Sequence, residues 1–199
     1  MRPAGLRTTV AIVAILNLAY FFVEFTVARS IGSVALFADS VDFLEDASVN
    51  VLVLLALGWA ASTRRFVGLG LAGLLLVPSF AALWTAWEKL HAPAVTDALQ
   101  LTLTAVGALV VNAICAFMLA RVRHSGGSLS KAAFLSARND LLANCAMIAA
   151  GCATVFSPSI WPDLIVGLSI AGLNATAAME VYEAAMAETD DEKKITPRA

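Results

Sequence analysis

The chain has 199 residues, of which 60% are hydrophobic and 14% are charged. An average soluble domain is about 25% charged, so this composition excludes an ordinary soluble protein and indicates a membrane protein with several spans. The net charge of −2, without a basic patch, argues against a nucleic-acid partner.

Six segments are long and apolar enough to cross a membrane, which takes about 20 residues. They lie near residues 8–28, 33–61, 66–90, 97–120, 129–156 and 161–185. We therefore predict an all-α membrane protein in which residues 1–187 form a bundle of six transmembrane helices. Residues 188–199 are polar and are predicted to be a cytoplasmic tail.

The orientation of the bundle follows from its Lys and Arg residues. The second and fourth links carry Arg64, Arg65 and Arg121, whereas the opposite side carries only Arg29 and Lys89. The positive-inside rule then places both termini in the cytoplasm. We expect a multi-pass protein of the bacterial inner (cell) membrane.

Acidic residues form a stripe on the second predicted helix. Asp39, Asp42 and Asp46 are spaced i, i+3, i+7 and therefore share one face, and Glu45 lies beside Asp42. A carboxylate at the bilayer centre costs at least ~2.5 kcal/mol. A bound divalent cation would explain why this helix carries several of them.

A second polar stripe, Ser136, Asp140 and Asn144, lies on the fifth predicted helix at spacing i, i+4, i+8, with Asn139 beside it. At a rise of 1.5 Å per residue, Asp42 and Asp140 each lie roughly 14–17 Å deep, near the midplane. The two stripes can therefore face each other and offer three carboxylates and one further oxygen to a metal. Ser136 and Asn144 are equally well explained as hydrogen bonds between helices.

Polar residues also occur on the first and fourth predicted helices. Asn17, Tyr20 and Glu24 form an inward-facing stripe on the first helix, and Glu24 either feeds protons or metal to the site or pairs with Arg29. Asn112, on the fourth helix, is expected to make a helix contact. The three cysteines lack a C-x-x-C spacing and are expected to be small buried side chains.

The run from Gly32 to Asp42, followed by Asp46, resembles the second helix of the cation diffusion facilitator transporters. The pattern of that family there is G-S-x-A-L-x-A-D-[AS]-x-[HD]-x-x-x-D. Asp140 and Asn144 fall where the fifth-helix motif of the family and its following Asn would be. The resemblance covers residues 8–185.

The resemblance implies that Asp42 and Asp46 are metal ligands on the second helix and that Asp140 is one on the fifth. Asp39 matches the Asp of the A-D-[AS] element. The remaining ligand position falls on Ser136, where the family usually has His or Asp. This departure leaves open whether the fourth ligand is Ser136, a water, Asn139 or Asn144.

The resemblance also implies a function, which is proton-coupled efflux of a divalent metal from the cytoplasm without enzymatic activity or a bound cofactor. The expected partners are the metal ion, protons and the lipid bilayer. Zn²⁺, Mn²⁺, Fe²⁺, Co²⁺ and Cd²⁺ are all candidates, and the all-oxygen ligand set favours Mn²⁺ or Fe²⁺ over Zn²⁺.

The oligomeric state and two alternative functions remain open. The chain ends where the family commonly continues into a cytoplasmic domain that promotes dimerisation. We therefore expect a short form without that domain, and a homodimer remains one of the possible states. The acidic residues would also suit a proton-coupled transporter of an organic cation. A membrane interaction protein without transport activity is the remaining alternative, although it leaves the acidic stripe unexplained.

Overall fold

Six helices, and no strands, make up the part of the chain that a computed structural model describes, residues 3–56, 80–122 and 127–173. They are α1 (Pro3–Ile31), α2 (Val34–Ala56), α3 (80–91), α4 (Ala98–Val122), α5 (Gly127–Phe156) and α6 (Trp161–Leu173). Side chains are described at 7–52, 54, 80–121 and 140–173. The all-α prediction is confirmed for these residues, and the predicted tail at 188–199 lies outside them.

The starts of α2, α4 and α6 agree to within one residue with the starts of the predicted apolar spans. Asp97 precedes α4, and its Oδ1 accepts a hydrogen bond from the backbone N–H of Gln100 over 2.9 Å. This hydrogen bond holds the pKa of the exposed Asp97 below its ordinary value. Helix α1 extends beyond the predicted 8–28 at both ends, because charged residues end an apolar span without ending a helix.

A tight turn joins α1 to α2. Gly32 has a φ of 61°, a left-handed conformation that favours glycine, and the N–H of Ser33 returns to the carbonyl of Ala28 over 3.1 Å. Ser33 then caps α2, because its Oγ accepts a hydrogen bond from the N–H of Leu36 over 3.1 Å. The turn makes α1 and α2 antiparallel neighbours.

The start of α2 is also held by Asp163 of α6. This fully buried carboxylate accepts hydrogen bonds from Ser33 Oγ at 2.6 Å, from the N–H of Val34 at 3.0 Å and from the N–H of Ala35 at 3.2 Å. Lys89 of α3 forms an ion pair with the same carboxylate. One buried charge pair therefore fixes α2, α3 and α6 to each other at this end of the bundle.

Helix α6 approaches the start of α2 very closely. A Cβ at Gly167 would lie 2.6 Å from the backbone nitrogen of Ala35, so only glycine fits there without a shift. Val34, Ala86 and Leu164 form a small apolar cluster beside this contact. The register of α2, and with it the position of its acidic stripe, depends on this contact.

The exterior of the bundle is apolar and its interior contains polar groups. Residues 33–41 at the start of α2 are all buried, whereas α1 and α4 expose large apolar side chains such as Phe22 and Phe117. Two described helical segments, Arg7–Ile31 and Ala98–Arg121, are long and apolar enough to cross a membrane. Helix α2 carries four acidic residues, which exclude it from that group. Of the cysteines, Cys115 is buried, but Cys145 and Cys152 are exposed, so the prediction of buried thiols is wrong for these two.

Candidate functional site

The acidic stripe of α2 faces the interior of the bundle. Asp39 is fully buried and Asp46 is 6% exposed, whereas Asp42 and Glu45 are half-buried. Such burial follows from the position of α2, which contacts both α1 and α5. Four carboxyl groups therefore lie along one helix in surroundings where an isolated charge is costly.

Asp140 of α5 joins this stripe. Its side chain is 9% exposed, and its carboxyl group lies within hydrogen-bonding reach of that of Asp46. Electrostatic repulsion also acts between Asp140 and Asp42. Asp140 on α5 thus lies beside Asp46 on α2 and close enough to Asp42 for the charges of the two carboxylates to repel each other. Carboxylates this close cannot all be ionised without a proton or a cation among them.

Asn144 lies one turn of α5 beyond Asp140 and connects three helices. Its side-chain nitrogen donates to Asp39 Oδ2 over 2.9 Å, and its side-chain oxygen accepts from Asn112 Nδ2 of α4 over 3.1 Å. Because a carboxylate can only accept, the amide nitrogen has to face Asp39. The hydrogen bond from Asn112 uses one of the two lone pairs of the Asn144 oxygen, and the other remains for a metal. The prediction that Asn112 makes a helix contact is confirmed.

Side chains of α1 and α4 contact the Asp46 end of the acidic stripe. Asn17 donates to Asp46 Oδ2 over 3.4 Å, and the Cys115 thiol contacts the Asn17 side-chain oxygen at 3.5 Å. Asn112 and Cys115 are spaced i, i+3 and so share one face of α4. Sequence reasoning missed the contribution of Cys115. The available signal was this spacing, which places a polar amide and a thiol on the same side of an apolar helix.

Two of the candidate ligands precede Asp140 on α5. Ser136 and Asn139 belong to α5, one turn and one residue before Asp140, and their side chains lie outside the described residues. Glu45 is half-buried and adds its repulsion to that acting on Asp42. The roles proposed for Ser136 and Asn139 therefore rest on their sequence positions.

Glu24 of α1 is fully buried, and neither of its carboxyl oxygens accepts a hydrogen bond from an N–H or hydroxyl group of the described residues. Arg29 is exposed, so the pairing of Glu24 with Arg29 is not found. The reason is geometric, because residues five apart project about 140° from each other around a helix. Glu24 instead lies next to Asp39, within reach of a shared proton.

The donor set of the site consists of carboxylate and amide oxygens, which suits a hard or borderline divalent cation. Within the described residues, no group of three or more His, Cys, Asp or Glu side chains is arranged at metal-binding positions. Asp42, Asp46 and Asp140 would therefore have to close around an ion by rotating their side chains.

Comparison with protein families matches residues 10–187 to the cation efflux transmembrane domain. Comparison with curated proteins finds no match. The family match spans most of the chain, and it agrees with the apolar exterior and the buried acidic interior described above. Members of this family are transporters rather than enzymes. The chain therefore belongs to the cation efflux family, as an integral membrane protein that transports cations.

Proposed function

We propose that the chain exports divalent metal ions from the cytoplasm in exchange for protons, across a bundle of six spanning helices with both termini in the cytoplasm. The observation that carries the proposal is the acidic stripe inside the bundle on α2, which Asn144, one turn from Asp140 on α5, ties to that helix by donating to Asp39 over 2.9 Å. Asp42, Asp46 and Asp140 are the metal ligands, and Ser136, Asn139 or Asn144 supplies a fourth oxygen.

Proton exchange follows from the crowding of these carboxylates. In a poorly solvated site, adjacent carboxyl groups hold protons when no cation is present, because the protons remove the repulsion between them. A divalent ion that enters takes over this role and displaces the protons. If the bundle exposes the site to each side in turn, proton entry drives metal exit.

The side chains at the site support a metal ion more than an organic cation. An organic cation is usually held by open aromatic faces. Here Phe43 is buried and packs on Tyr20 with ring centroids 5.0 Å apart, and Phe37 packs on Phe25 at 5.4 Å. These rings pack against each other in pairs and do not form an open aromatic site. The oxygen donors favour Mn²⁺ or Fe²⁺ over Zn²⁺.

A flux assay tests the proposal. The purified protein is reconstituted into vesicles with a pH-sensitive dye inside, and Zn²⁺, Mn²⁺, Fe²⁺, Co²⁺ and Cd²⁺ are added in turn. We expect uptake of at least one ion together with alkalinisation of the lumen as protons leave. Asp97→Asn is the matched control, because Asp97 is an exposed acid outside the site. Metal uptake without any proton movement would contradict the exchange, and no uptake of any ion would contradict the function.

A further inference from the structure

Glu24 and Asp39 form a second acidic pair, separate from the three proposed ligands. Both side chains are fully buried, and three of their four carboxyl oxygens, both of Glu24 and Oδ1 of Asp39, accept no hydrogen bond from any other described group, so the two carboxyl groups face only each other. The fourth, Asp39 Oδ2, accepts from Asn144. Asp163, which is just as buried, accepts three hydrogen bonds and an ion pair, so the lack of partners at Glu24 is not a general feature of this bundle.

No positive side chain described in the structure neutralises this pair. Arg29 is exposed, and the ammonium group of Lys89 is used by Asp163. Two adjacent carboxylates in a dry interior repel each other strongly and need a positive charge between them. The described residues supply no such charge, so within them the pair has to hold either a shared proton or a cation.

The pair lies on one side of the proposed metal site. Asp39 is three residues nearer the start of α2 than Asp42, and Asn144 is one turn of α5 beyond Asp140. Both displacements point toward the end of the bundle that contains the Gly32 turn and Asp163. Under the proposed topology, this is the side away from the cytoplasm.

We propose that Glu24 and Asp39 form a second station for a divalent cation, between the site at Asp42, Asp46 and Asp140 and the non-cytoplasmic end of the bundle. This inference rests on the proposed function. The three unpartnered oxygens are hard donors, and the two carboxylates match the charge of a divalent ion. Asn144 holds Asp39 Oδ2, which leaves Oδ1 as the second donor of this carboxylate. A metal leaving the first site would pass to this pair before release.

Binding stoichiometry on the purified full chain tests the second station, with Mn²⁺ alone as the probe in equilibrium dialysis. We expect the wild type to bind about two ions and Glu24→Gln about one. Asp39→Asn serves as a second variant, because its amide can keep the contact with Asn144. Asp46→Asn should lose the other ion and retain the one at Glu24, and Asp97→Asn should behave as wild type.

Transport provides an independent readout. Glu24→Gln should lower the maximal rate roughly tenfold while the KM for metal on the cytoplasmic side changes little, because entry to the first site is untouched. A wild type that binds a single ion would overturn the second station. So would a Glu24→Gln variant with unchanged stoichiometry that has lost only proton coupling, because the pair would then carry a proton. If no variant binds Mn²⁺ or any of the other four ions of the flux assay, the proposed function fails as well, and the two failures are thereby distinguished.

Discussion

The side chain of Asn144 on α5 donates to Asp39 on α2 over 2.9 Å, and this hydrogen bond links the two helices that carry the acidic residues. Asn112 of α4 fixes the direction of that link by donating to the oxygen of Asn144 over 3.1 Å. Three helices are thus tied together through two amides and a carboxylate, all of them buried. The geometry of the acidic stripe depends on residues that do not themselves carry charge.

Asn112→Leu should weaken metal binding without unfolding the protein. The change leaves the oxygen of Asn144 unpaired, at a cost of about 1–1.4 kcal/mol, which corresponds to roughly a five- to tenfold loss of affinity if Asn144 turns away from Asp39. Ala113→Leu is the control, because it places the same side chain one position away on the exposed face. Equal Mn²⁺ affinity in both variants, measured by titration, would mean that Asn112 only fills space.

Asp42→Ala and Asp46→Ala should each abolish metal transport while the protein still inserts into the membrane. Each change deletes a proposed ligand and also relieves repulsion from neighbouring carboxylates, so stability should stay equal or rise slightly. Vesicle flux and the yield of folded protein are measured together, with Asp97→Asn as the control, because it removes an exposed acid and keeps a capping side chain at the start of α4. Wild-type flux in either variant would rule out the proposed metal site.

Asp140→Asn should also lose transport, because an amide neither neutralises the cation nor takes up a proton in exchange. Asp140→Glu keeps the charge but shifts the oxygens by one methylene. It should keep partial activity or change its preference among the metals. The same flux assay compares the two variants. Normal transport by Asp140→Asn would show that the carboxyl group near Asp46 has no role in binding.

Local spacing predicted the buried face of α2, because Asp39, Asp42 and Asp46 repeat with the period of a helix. The extent of the apolar span predicted the start of α2 to within one residue, and in the structure Ser33 caps the helix there. Contacts between residues far apart in the chain could not be predicted in this way. Nothing in the sequence near Lys89 identifies Asp163, 74 residues away, as its partner.

The neighbour of the Glu24 carboxyl group could not be predicted from the sequence for a different reason. A nearby Arg29 suggested an ion pair, but only the packing of α1 on α2 decides which way the carboxyl group faces. The structure turns it toward Asp39 and away from solvent. Sequence spacing gives the angle between two side chains on one helix, whereas the neighbour across the interface depends on the tertiary arrangement.

Lys89→Met should destabilise the protein by about 3 kcal/mol, because it leaves Asp163 buried and without its ion-pair partner. Lys89 also donates to the carbonyl of Gly32 over 2.7 Å, so the turn before α2 loses a contact as well. Chemical unfolding in detergent micelles measures the change. Adding Asp163→Asn to Lys89→Met should restore part of the loss, since no unpaired charge then remains. A double variant as unstable as the sum of the two single changes would show that the charges do not act as a pair.

Ser136→His should raise the affinity of the site for Zn²⁺ relative to Mn²⁺. Ser136 precedes Asp140 by one turn of α5, so a histidine there would add an imidazole to the three carboxylates. Zn²⁺ favours nitrogen donors in a tetrahedral site, whereas Mn²⁺ favours oxygen. Competition between the two ions in detergent measures the ratio, with Ser136→Ala as the control for loss of the hydroxyl. An unchanged ratio in a folded Ser136→His variant would mean that position 136 faces away from Asp42 and Asp46, and Asn139 or Asn144 would then be the better candidate for the fourth ligand.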